Sequence, residues 1–349
     1  MSQPPKKPDI KTLGVLKRQT VTVSEHHLIR TSHLWTGETL PLVIEPAVDG
    51  LDLRAWVASN RGFIESQLLK FGGILFRNFQ IRTETEFEQL ITAASGTPLA
   101  YNDRATPRSQ ITSHIFTSTD YPADQQIELH NESSYAHTWP LKIFFFSQIV
   151  AAEGGATPIA DSRQIVARID PAIRQRFIEK QVMYVRNFGQ EFGLPWQTVF
   201  NTTDRATMEA FCRSADIAVE WKDEQRLRTR QIRPAVARHP STGDMVWFNQ
   251  ATAFHVSTLA AATRDLLLGE YAPDELPKNV FYGDGTPIED DVLDHIRAIY
   301  RQATVAFPWQ PGDLLMLDNM LVAHGRAPFV GPRKVLVGMA EPCSWQAVA

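Results

Sequence analysis

Apolar side chains recur at near-helical spacing in an early part of the chain. From Leu51 to Lys70 they return on one side of a helical turn, and the pattern ends at Gly72-Gly73. This arrangement predicts an amphipathic helix closed by glycine. A second such pattern covers Thr83–Ala94, with two glutamates near its start, where the helix dipole stabilises negative charge. The run 73–79 between the two patterns is predicted to be a strand, so a helical layer precedes the rest of the fold.

The pattern changes from about Ile127 onward to short apolar or alternating runs, separated by Gly, Pro, Asn and Asp. The predicted strands are 127–135, 141–150, 157–160, 182–188, 235–238, 245–248, 304–308, 313–318 and 334–340. Helical inserts are predicted at Arg205–Ser214 and Asp290–Gln302. Many short strands with turn signals indicate a closed or sandwiched β architecture, of which a jelly roll is one solution.

Composition is that of an ordinary packed domain. The 349 residues are 43% hydrophobic and 21% charged, and a chain of this length buries a large core without disulfides. We expect residues 1–12, which are rich in Pro and Lys, to be a loose tail. Residues 13–349 are expected to form a single domain.

The net charge, the N-terminal sequence and the cysteine count limit the partners and the cell compartment that we expect. A formal net charge of −4 provides no polybasic surface, so neither nucleic acid nor an anionic membrane is expected as a partner. The first residues carry lysines but no apolar run behind them, unlike a secretory signal. The most apolar run, Ile143–Ala152, is far short of the roughly 20 residues that a membrane helix needs. With only two cysteines, Cys212 and Cys343, a reducing cytoplasm is the expected location.

Candidate chemistry begins with two residues of one predicted strand. His130 and Glu132 are separated by Asn131, and residues i and i+2 of a strand point to the same face. An imidazole nitrogen and a carboxylate oxygen on neighbouring positions can bind one metal ion. Such a pair occurs often by chance, so it needs a third ligand from elsewhere in the chain.

His324 is the candidate third ligand, because it follows one predicted strand and a turn and precedes another strand. Two histidines and one carboxylate on one side of a metal leave the opposite positions open, an arrangement typical of non-haem Fe(II) oxygenases. His255 is a rival for this position. No arginine opening a strand follows it at a suitable distance, so we interpret His255 as a structural or pocket-wall residue.

Three passages carry a resemblance to a known family: LHNESSY at 129–135, GGATPIAD at 154–161 and DNMLVAHGRAPFVGPRKVLVGMA at 318–340. They resemble the superfamily of taurine dioxygenase and clavaminate synthase, whose members use Fe(II), 2-oxoglutarate and O₂. The likeness runs from about Gly72 to Pro342 and is closest to hydroxylases of amino acids or carrier-tethered aminoacyl groups in natural-product pathways. It implies a mainly β fold, with a double-stranded β-helix (jelly roll) core, N-terminal helices and helical inserts.

The resemblance also implies residues for the 2-oxoglutarate cosubstrate. Its distal carboxylate needs a buried cation, best a guanidinium that donates two parallel hydrogen bonds. In this family that arginine follows the distal histidine on the next strand. Arg333 matches, nine residues after His324; this spacing is short, so Arg326 is the second choice. Thr157 in the Gly154-Gly155-Ala156-Thr157 passage matches a family threonine whose hydroxyl contacts the same carboxylate.

Substrate contacts are predicted for residues around the first two ligands. The candidates are Arg108, Ser118, Gln126 and Asn131. The implied substrate is a small molecule, either free or presented on a carrier protein. The implied outcome is hydroxylation, with desaturation or cyclisation as alternatives.

Two other classes of protein remain open from the sequence. A His₂Glu zinc hydrolase uses the same ligands with one open position, but it assigns no role to Arg333 and Thr157. A jelly-roll binding or regulatory protein without catalysis is the other alternative, and the complete ligand set argues against it.

Overall fold

The computed structural model describes residues 28–99, 111–112, 114–117, 121–189 and 195–348. The predicted tail, 1–12, lies outside these residues. The single-domain assignment stays a prediction.

The described residues form a mixture of helix and sheet with many strands. The helices are α1 (Leu53–Ser59), α2 (Arg61–Phe71), α3 (Glu84–Ser95), α4 (Ser162–Arg168), α5 (Pro171–Lys180), α6 (Trp196–Val199), α7 (Arg205–Ser214), α8 (Ala251–Phe254), α9 (Ala261–Glu270), α10 (Asp290–Ala303) and α11 (Trp345–Val348). The strands are β1 (Ile29–His33), β2 (Leu42–Pro46), β3 (Gly73–Phe76), β4 (Phe116–Thr117), β5 (Ile127–His130), β6 (Thr138–Ile149), β7 (Glu153–Gly154), β8 (Ile159–Asp161), β9 (Val182–Phe188), β10 (Ala218–Trp221), β11 (Leu227–Arg233), β12 (Val236–Arg238), β13 (Met245–Trp247), β14 (Lys278–Tyr282), β15 (Leu314–Asp318), β16 (Val322–Arg326), β17 (Phe329–Val330) and β18 (Lys334–Ser344).

The early helical layer is confirmed, with one correction. The pattern that predicts a single helix from Leu51 to Lys70 forms α1 and α2, because the backbone leaves helical geometry at Asn60 (φ −119°, ψ 26°). Asp52 caps α1 by accepting from the first-turn amides. The left-handed Gly72 (φ 78°) ends α2 as the sequence predicts. At α3, Thr83 and Glu86 form a reciprocal capping box, which satisfies backbone donors at the helix start.

A seven-stranded sheet forms the centre of the fold, in the order β1-β2-β3-β15-β6-β18-β4. Its pairings are antiparallel except for the parallel pair β2 and β3. Alternate side chains of β6, β15 and β18 pack against α1, α2 and α3 on one face, and against a second apolar cluster on the other. Burial on both faces explains why these strands are continuous apolar runs in the sequence.

A three-stranded sheet, β5-β16-β8, faces the seven-stranded sheet. The cluster between them includes Phe145, Leu317 and Val337 from the larger sheet, and Ile159 and Val322 from the smaller one. Beyond the smaller sheet, a further cluster joins α4, α5 and α10 to the four-stranded sheet β10-β11-β9-β14. The described residues are therefore layered, and β16 is buried along its whole length.

Several predicted boundaries are wrong in informative ways. The strand predicted at 127–135 ends at His130 and is followed by turns. The segment predicted at 304–308 is not a named strand and makes only a bridge between Val305 and Ile159. Within the described residues, none of the helices has the length and apolar character required to cross a membrane.

Candidate functional site

His130 and Glu132 stand where a strand turns. His130 is the last residue of β5, and Glu132 belongs to the turn that follows, next to Ser133 at a positive φ of 56°. The prediction that His130 and Glu132 project from one face of a strand is therefore wrong, since Glu132 lies outside the strand. The turn nevertheless brings its carboxylate back toward His130, with Glu132 Oε2 3.9 Å from His130 Nε2.

His324 reaches the same point from β16. It pairs directly with His130 across β5 and β16, and the two ring centroids are 4.6 Å apart. A Cβ on the next residue, Gly325, would lie 2.6 Å from the carbonyl oxygen of Ile127. Glycine at this position therefore lets β16 approach β5 closely. His324 Nε2 lies 3.7 Å from Glu132 Oε2.

The donor atoms of these three residues suit one metal ion. One donor atom from each of His130, Glu132 and His324 lies within 4.8 Å of the others, and Glu132 and His324 are buried. His130 Nδ1 lies 2.8 Å from the carbonyl oxygen of Glu128. Because a carbonyl only accepts, Nδ1 carries the proton, and Nε2 presents its lone pair toward Glu132. Two imidazoles and one carboxylate fit Fe(II) with positions left open for other ligands.

Asn319 holds the turn that carries Glu132. Its side-chain oxygen accepts from the Glu132 amide at 2.7 Å, and its amide donates to the Glu132 and Pro140 carbonyls at 2.9 Å each. Its own carbonyl accepts from Asn131 at 2.7 Å. Asn319 is fully buried. The sequence alone does not indicate a role for Asn319, although this residue lies in the 318–340 passage.

Asp318 fixes the neighbouring turn. Its carboxylate accepts from the amides of Met320 and Leu321 and lies 2.9 Å from His239 Nε2. His239 Nδ1 accepts from the amide of Thr242, so Nε2 carries the proton and donates to Asp318. This buried pair anchors the turn between β15 and the strand of His324.

We expect Asn319→Ala to lower both the free energy of unfolding and the affinity for Fe(II). The substitution leaves several buried backbone groups without a hydrogen-bond partner, and each such group lowers the free energy of unfolding by about 1–3 kcal/mol. It also releases the Glu132 turn, and loss of a ligand's supporting contacts typically lowers metal affinity by about 10- to 100-fold. Urea unfolding of the metal-free protein and an Fe(II) titration measure the two effects separately.

Asn187→Ala is the matched control for that prediction. Asn187 also bridges two backbone carbonyls with its side-chain amide, those of Asp274 and Leu276, but it lies in the four-stranded sheet. It should lower stability and leave metal affinity unchanged. Equal losses of metal affinity in the two variants would contradict the role of Asn319.

Arg333 contacts the segment that carries Thr157. Arg333 Nε donates to the Gly155 carbonyl at 2.9 Å, two residues before the buried Thr157. A Cβ on Gly155 would lie 3.0 Å from Arg333 Cδ, so this glycine leaves room for the arginine. The Thr157 hydroxyl accepts from Trp309 Nε1 at 3.2 Å, and it can still donate to a carboxylate.

Arg333 immediately precedes β18, whose side chains alternate between the two faces of the sheet. Val335, Val337 and Met339, at the following odd positions, belong to the cluster between the sheets. Lys334 points the other way and pairs with Glu84 at 2.8 Å. Burial, and secondly the positive charge of Arg326, lower the pKa of Arg333 to about 10. An anion beside Arg333 would relieve both effects.

Arg326 uses its guanidinium to bind backbone carbonyls of a neighbouring segment. Its guanidinium donates to the backbone carbonyls of Tyr121, Pro122 and Gln125. It also stacks on Phe329, whose centroid is 5.2 Å from Arg326 Cζ and 5.5 Å from Arg333 Cζ. Arg326 thus holds the segment 121–125 in place, and the geometry favours Arg333 as the group that could bind a cosubstrate carboxylate.

The four residues predicted to contact substrate differ in where they lie. Arg108 and Ser118 lie outside the described residues. Gln126 is exposed, and its amide contacts the Glu128 carboxylate at 3.2 Å. Asn131 is fully buried, not at a pocket mouth, and donates to Ser162 and Asn319. Its surroundings favour a framework role, and substrate contact by these four residues stays a prediction.

His255 lies apart from the metal-ligand cluster and has local partners. Its Nδ1 lies 2.7 Å from the Ser257 hydroxyl and accepts from the Ser257 amide. Burial lowers its pKa to about 4; Asp290 opposes this shift, while Arg297 and Arg264 reinforce it. The metal cluster found among the described residues contains His130, Glu132 and His324, as the sequence predicts.

The pKa of His255 predicts acid sensitivity. An unfolded histidine titrates near 6.5, so between pH 6.5 and 4 the unfolded chain binds a proton that the folded chain excludes. The stability that His255 contributes is therefore fully present above pH 6.5. Protonation of the unfolded chain should lower the free energy of unfolding by about 2 kcal/mol between pH 7 and pH 5. His255→Asn, compared with the unmodified protein by urea unfolding at both pH values, should remove that loss. An unchanged loss would contradict the low pKa.

Comparison with known proteins agrees with this geometry. Residues 36–340 match the model of the family "Taurine catabolism dioxygenase TauD, TfdA". The dapdiamide synthesis protein DdaC of Enterobacter agglomerans is 40% identical over 279 residues, covering 80% of this chain and 85% of the relative. A clavaminate synthase-like protein of Arabidopsis thaliana is 28% identical over 325 residues, covering 88% and 95%.

Solved structures share the fold at low identity. The PvcB protein of Pseudomonas aeruginosa superposes with a TM-score of 0.54 at 15% identity, covering 89% of this chain and 90% of the other. PvcB is described as an Fe, alpha-ketoglutarate dependent oxygenase from an isonitrile synthetic pathway. The family match spans most of the chain and the three metal-binding side chains converge within it. The chain belongs to the taurine catabolism dioxygenase (TauD, TfdA) family and is a non-haem iron dioxygenase that uses Fe(II) and 2-oxoglutarate.

Proposed function

We propose that this dioxygenase hydroxylates an amino acid or a carrier-tethered aminoacyl group in a biosynthetic pathway. The observation that carries the substrate class is the 40% identity, over 80% of the chain, to a protein of dapdiamide synthesis. The proposed setting is a single cytoplasmic domain with a jelly-roll core. Two sheets that face each other across one apolar cluster support that core.

His130, Glu132 and His324 are the proposed Fe(II) ligands, and Arg333 with Thr157 the proposed anchor of the distal carboxylate of 2-oxoglutarate. Together with O₂, the iron and the cosubstrate supply the oxidising chemistry when bound. Arg333 supplies a positive charge at a half-buried position, and a charge-assisted hydrogen bond to a carboxylate is stronger than a neutral one. Phe145, with its ring centroid 5.0 Å from that of His324, packs against one ligand and shields it from water.

The remaining residues orient these groups. The Glu128 carbonyl fixes the tautomer of His130, and Asn319 fixes the backbone of Glu132. Arg326 ties the segment before β5 to β16 through backbone carbonyls. With these contacts, the ligand set is organised before any metal binds, so little conformational entropy is lost on binding.

The test is a screen for O₂-dependent succinate release with Fe(II) and 2-oxoglutarate. Free amino acids and aminoacyl carrier proteins serve as separate arms, and anaerobic samples are the controls. Stimulation by one arm, with a product heavier by one oxygen, supports the proposal and identifies the form of the substrate. A product lighter by two hydrogens would replace hydroxylation by desaturation or cyclisation. Metal-dependent hydrolysis without succinate would contradict the proposal in favour of a hydrolase.

A further inference from the structure

One peptide group determines where the carboxylate ligand of the proposed iron site begins. It consists of the Asn131 carbonyl and the Glu132 amide, and it lies in the turn after β5, residues 131–134, which we name the ligand turn. A peptide group is a rigid plane. The direction of this plane therefore sets the position of the Glu132 Cα and, with it, the starting point of the carboxylate.

Two side-chain amides bind this peptide group, one at each end. Asn319 Oδ1 accepts from the Glu132 amide at 2.7 Å. Gln250 Nε2 donates to the Asn131 carbonyl at 2.8 Å. The Ser134 amide approaches the same carbonyl at 3.3 Å, a longer contact within the ligand turn. Asn319 lies between β15 and β16, and Gln250 between β13 and α8, so two distant parts of the chain fix one plane.

The side chain of Gln250 has no local role in its own helix. Gln250 directly precedes α8, but within the described part of the chain its side chain does not cap the first-turn amides. The side chain is instead buried, with 6% of the residue exposed, and it reaches a carbonyl 119 positions earlier in the chain. Burying an amide group without a partner is costly. The contact with the ligand turn therefore accounts for a glutamine at this position.

The backbone on both sides of Gln250 is fixed by hydrogen bonds. The Gln250 amide donates to the hydroxyl of Tyr184, a fully buried residue of β9, at 2.9 Å. The neighbouring Asn249 donates to the Ala235 carbonyl at 2.7 Å and accepts from the Ala251 amide at 2.9 Å. The side-chain amide of Gln250 consequently acts on the ligand turn from a defined position.

We propose that Gln250 is a positioning residue for the iron site, acting together with Asn319 through the peptide group between Asn131 and Glu132. Gln250 is not a ligand; it sets the direction from which the Glu132 carboxylate approaches the metal. The inference rests on the proposed assignment of Glu132 as an iron ligand. Because Gln250 and Asn319 bind one plane, their contributions to metal affinity are coupled, as is usual for residues of one hydrogen-bond network.

The first test removes the donor. Gln250→Leu has a side chain of similar size that cannot donate to the Asn131 carbonyl. Anaerobic titration of the metal-free protein should show an Fe(II) affinity lower by about 10- to 100-fold, the range for loss of a ligand's supporting contacts. The visible absorption bands of the Co(II)-loaded protein should also change, because they depend on ligand geometry. An unaltered affinity or an unaltered spectrum in the folded variant would overturn the proposal.

Gln148→Leu is the matched control. Gln148 also donates its side-chain amide to a distant backbone carbonyl, that of Arg82 in the loop before α3, at 3.3 Å. The substitution should leave the Fe(II) affinity and the Co(II) spectrum unchanged. A loss of affinity equal to that of Gln250→Leu would mean that any lost hydrogen bond of this kind weakens the site, and it would overturn the specific role of Gln250.

A double-mutant cycle separates positioning from general loosening of the fold. If both ends of the peptide plane must be held, Asn319→Ala already releases it, and Gln250→Leu adds little. The product of the two single losses of Fe(II) affinity should therefore exceed the loss in the double variant by at least about threefold. The losses of Asn319→Ala and Gln148→Leu should combine independently. Independent losses for Gln250 and Asn319 would overturn the proposal.

Gln250→Glu covers the case in which Gln250→Leu does not fold, since an ionised carboxylate has nearly the same shape and no hydrogen to donate. It should show the same loss of affinity and the same change in the Co(II) spectrum, and values of the unmodified protein would overturn the proposal.

Glu132→Ala separates this inference from its premise. Full metal affinity in Glu132→Ala would show that the ligand assignment itself is wrong. A large loss there, with none in the folded Gln250 variants, would remove the positioning role alone. None of these measurements needs turnover, so the succinate screen remains an independent test of the proposed function.

Discussion

Replacing His324 by alanine is expected to abolish Fe(II)-dependent succinate release. The substitution leaves one imidazole and one carboxylate for a metal that needs three protein donors in this arrangement. Loss of a direct ligand should lower metal affinity by more than the about 10- to 100-fold that supporting contacts contribute. Fe(II) titration of the folded variant measures the affinity, and succinate release measures the activity.

His130→Ala and Glu132→Ala should give the same result, because their donor atoms converge with that of His324. His255→Asn is the matched control, since His255 is equally buried but bonds to Ser257. It should bind Fe(II) as the unmodified protein does. Wild-type metal affinity in His324→Ala would contradict the assignment of the ligands.

Arg333→Ala should raise the apparent KM for 2-oxoglutarate by about 100-fold or more while leaving Fe(II) affinity largely intact. Removing one partner of a buried charge pair typically costs about 3–5 kcal/mol, because the other charge is stranded. Arg333→Lys should recover only part of the loss, since an ammonium cannot donate two parallel hydrogen bonds from one plane. Initial rates of succinate release over a range of 2-oxoglutarate concentrations measure the effect.

Arg326→Ala is the control for that prediction. Its guanidinium donates to the backbone carbonyls of Tyr121, Pro122 and Gln125. The substitution should therefore lower the free energy of unfolding, and it should raise the KM for 2-oxoglutarate less than Arg333→Ala does. The reverse ranking, with the larger rise in KM in Arg326→Ala, would assign the cosubstrate carboxylate to Arg326.

The parts of the fold that the sequence predicts well are those in which apolar residues alone determine the element. The strands β6 and β15 are buried on both faces and stand out as continuous apolar runs. Helix α3 combines an apolar side with a capping box. Both signals are local, so no tertiary contact is needed to interpret them.

The strands that the sequence does not predict depend on distant partners. β11 contains three arginines, and a pattern of this kind does not indicate a buried strand. In the structure, Arg228 is 5% exposed and bonds to Asn187 and Asp274, and Arg233 donates to the Ala215 carbonyl. The edge strand β1 is missed because most of its residues are exposed, which removes the alternation that marks a strand.

In the candidate site, too, the residues themselves are predicted from the sequence, whereas the contacts that position them are not. Residue types and their order predict His130, Glu132 and His324 as a group, and these side chains converge. The turn that carries Glu132 was not predicted, since a positive φ at Ser133 is unusual for a residue with a Cβ. Asn319 acts through backbone groups of residues far away in sequence, and a single sequence does not contain that information.

The central claim is that iron at His130, Glu132 and His324 binds 2-oxoglutarate directly. Fe(II) and 2-oxoglutarate added to the metal-free protein without O₂ should produce a weak visible metal-to-ligand charge-transfer band, absent with either component alone and absent in His324→Ala. A zinc hydrolase or a binding protein would produce no such band. Its absence from the folded, iron-loaded protein would contradict the account.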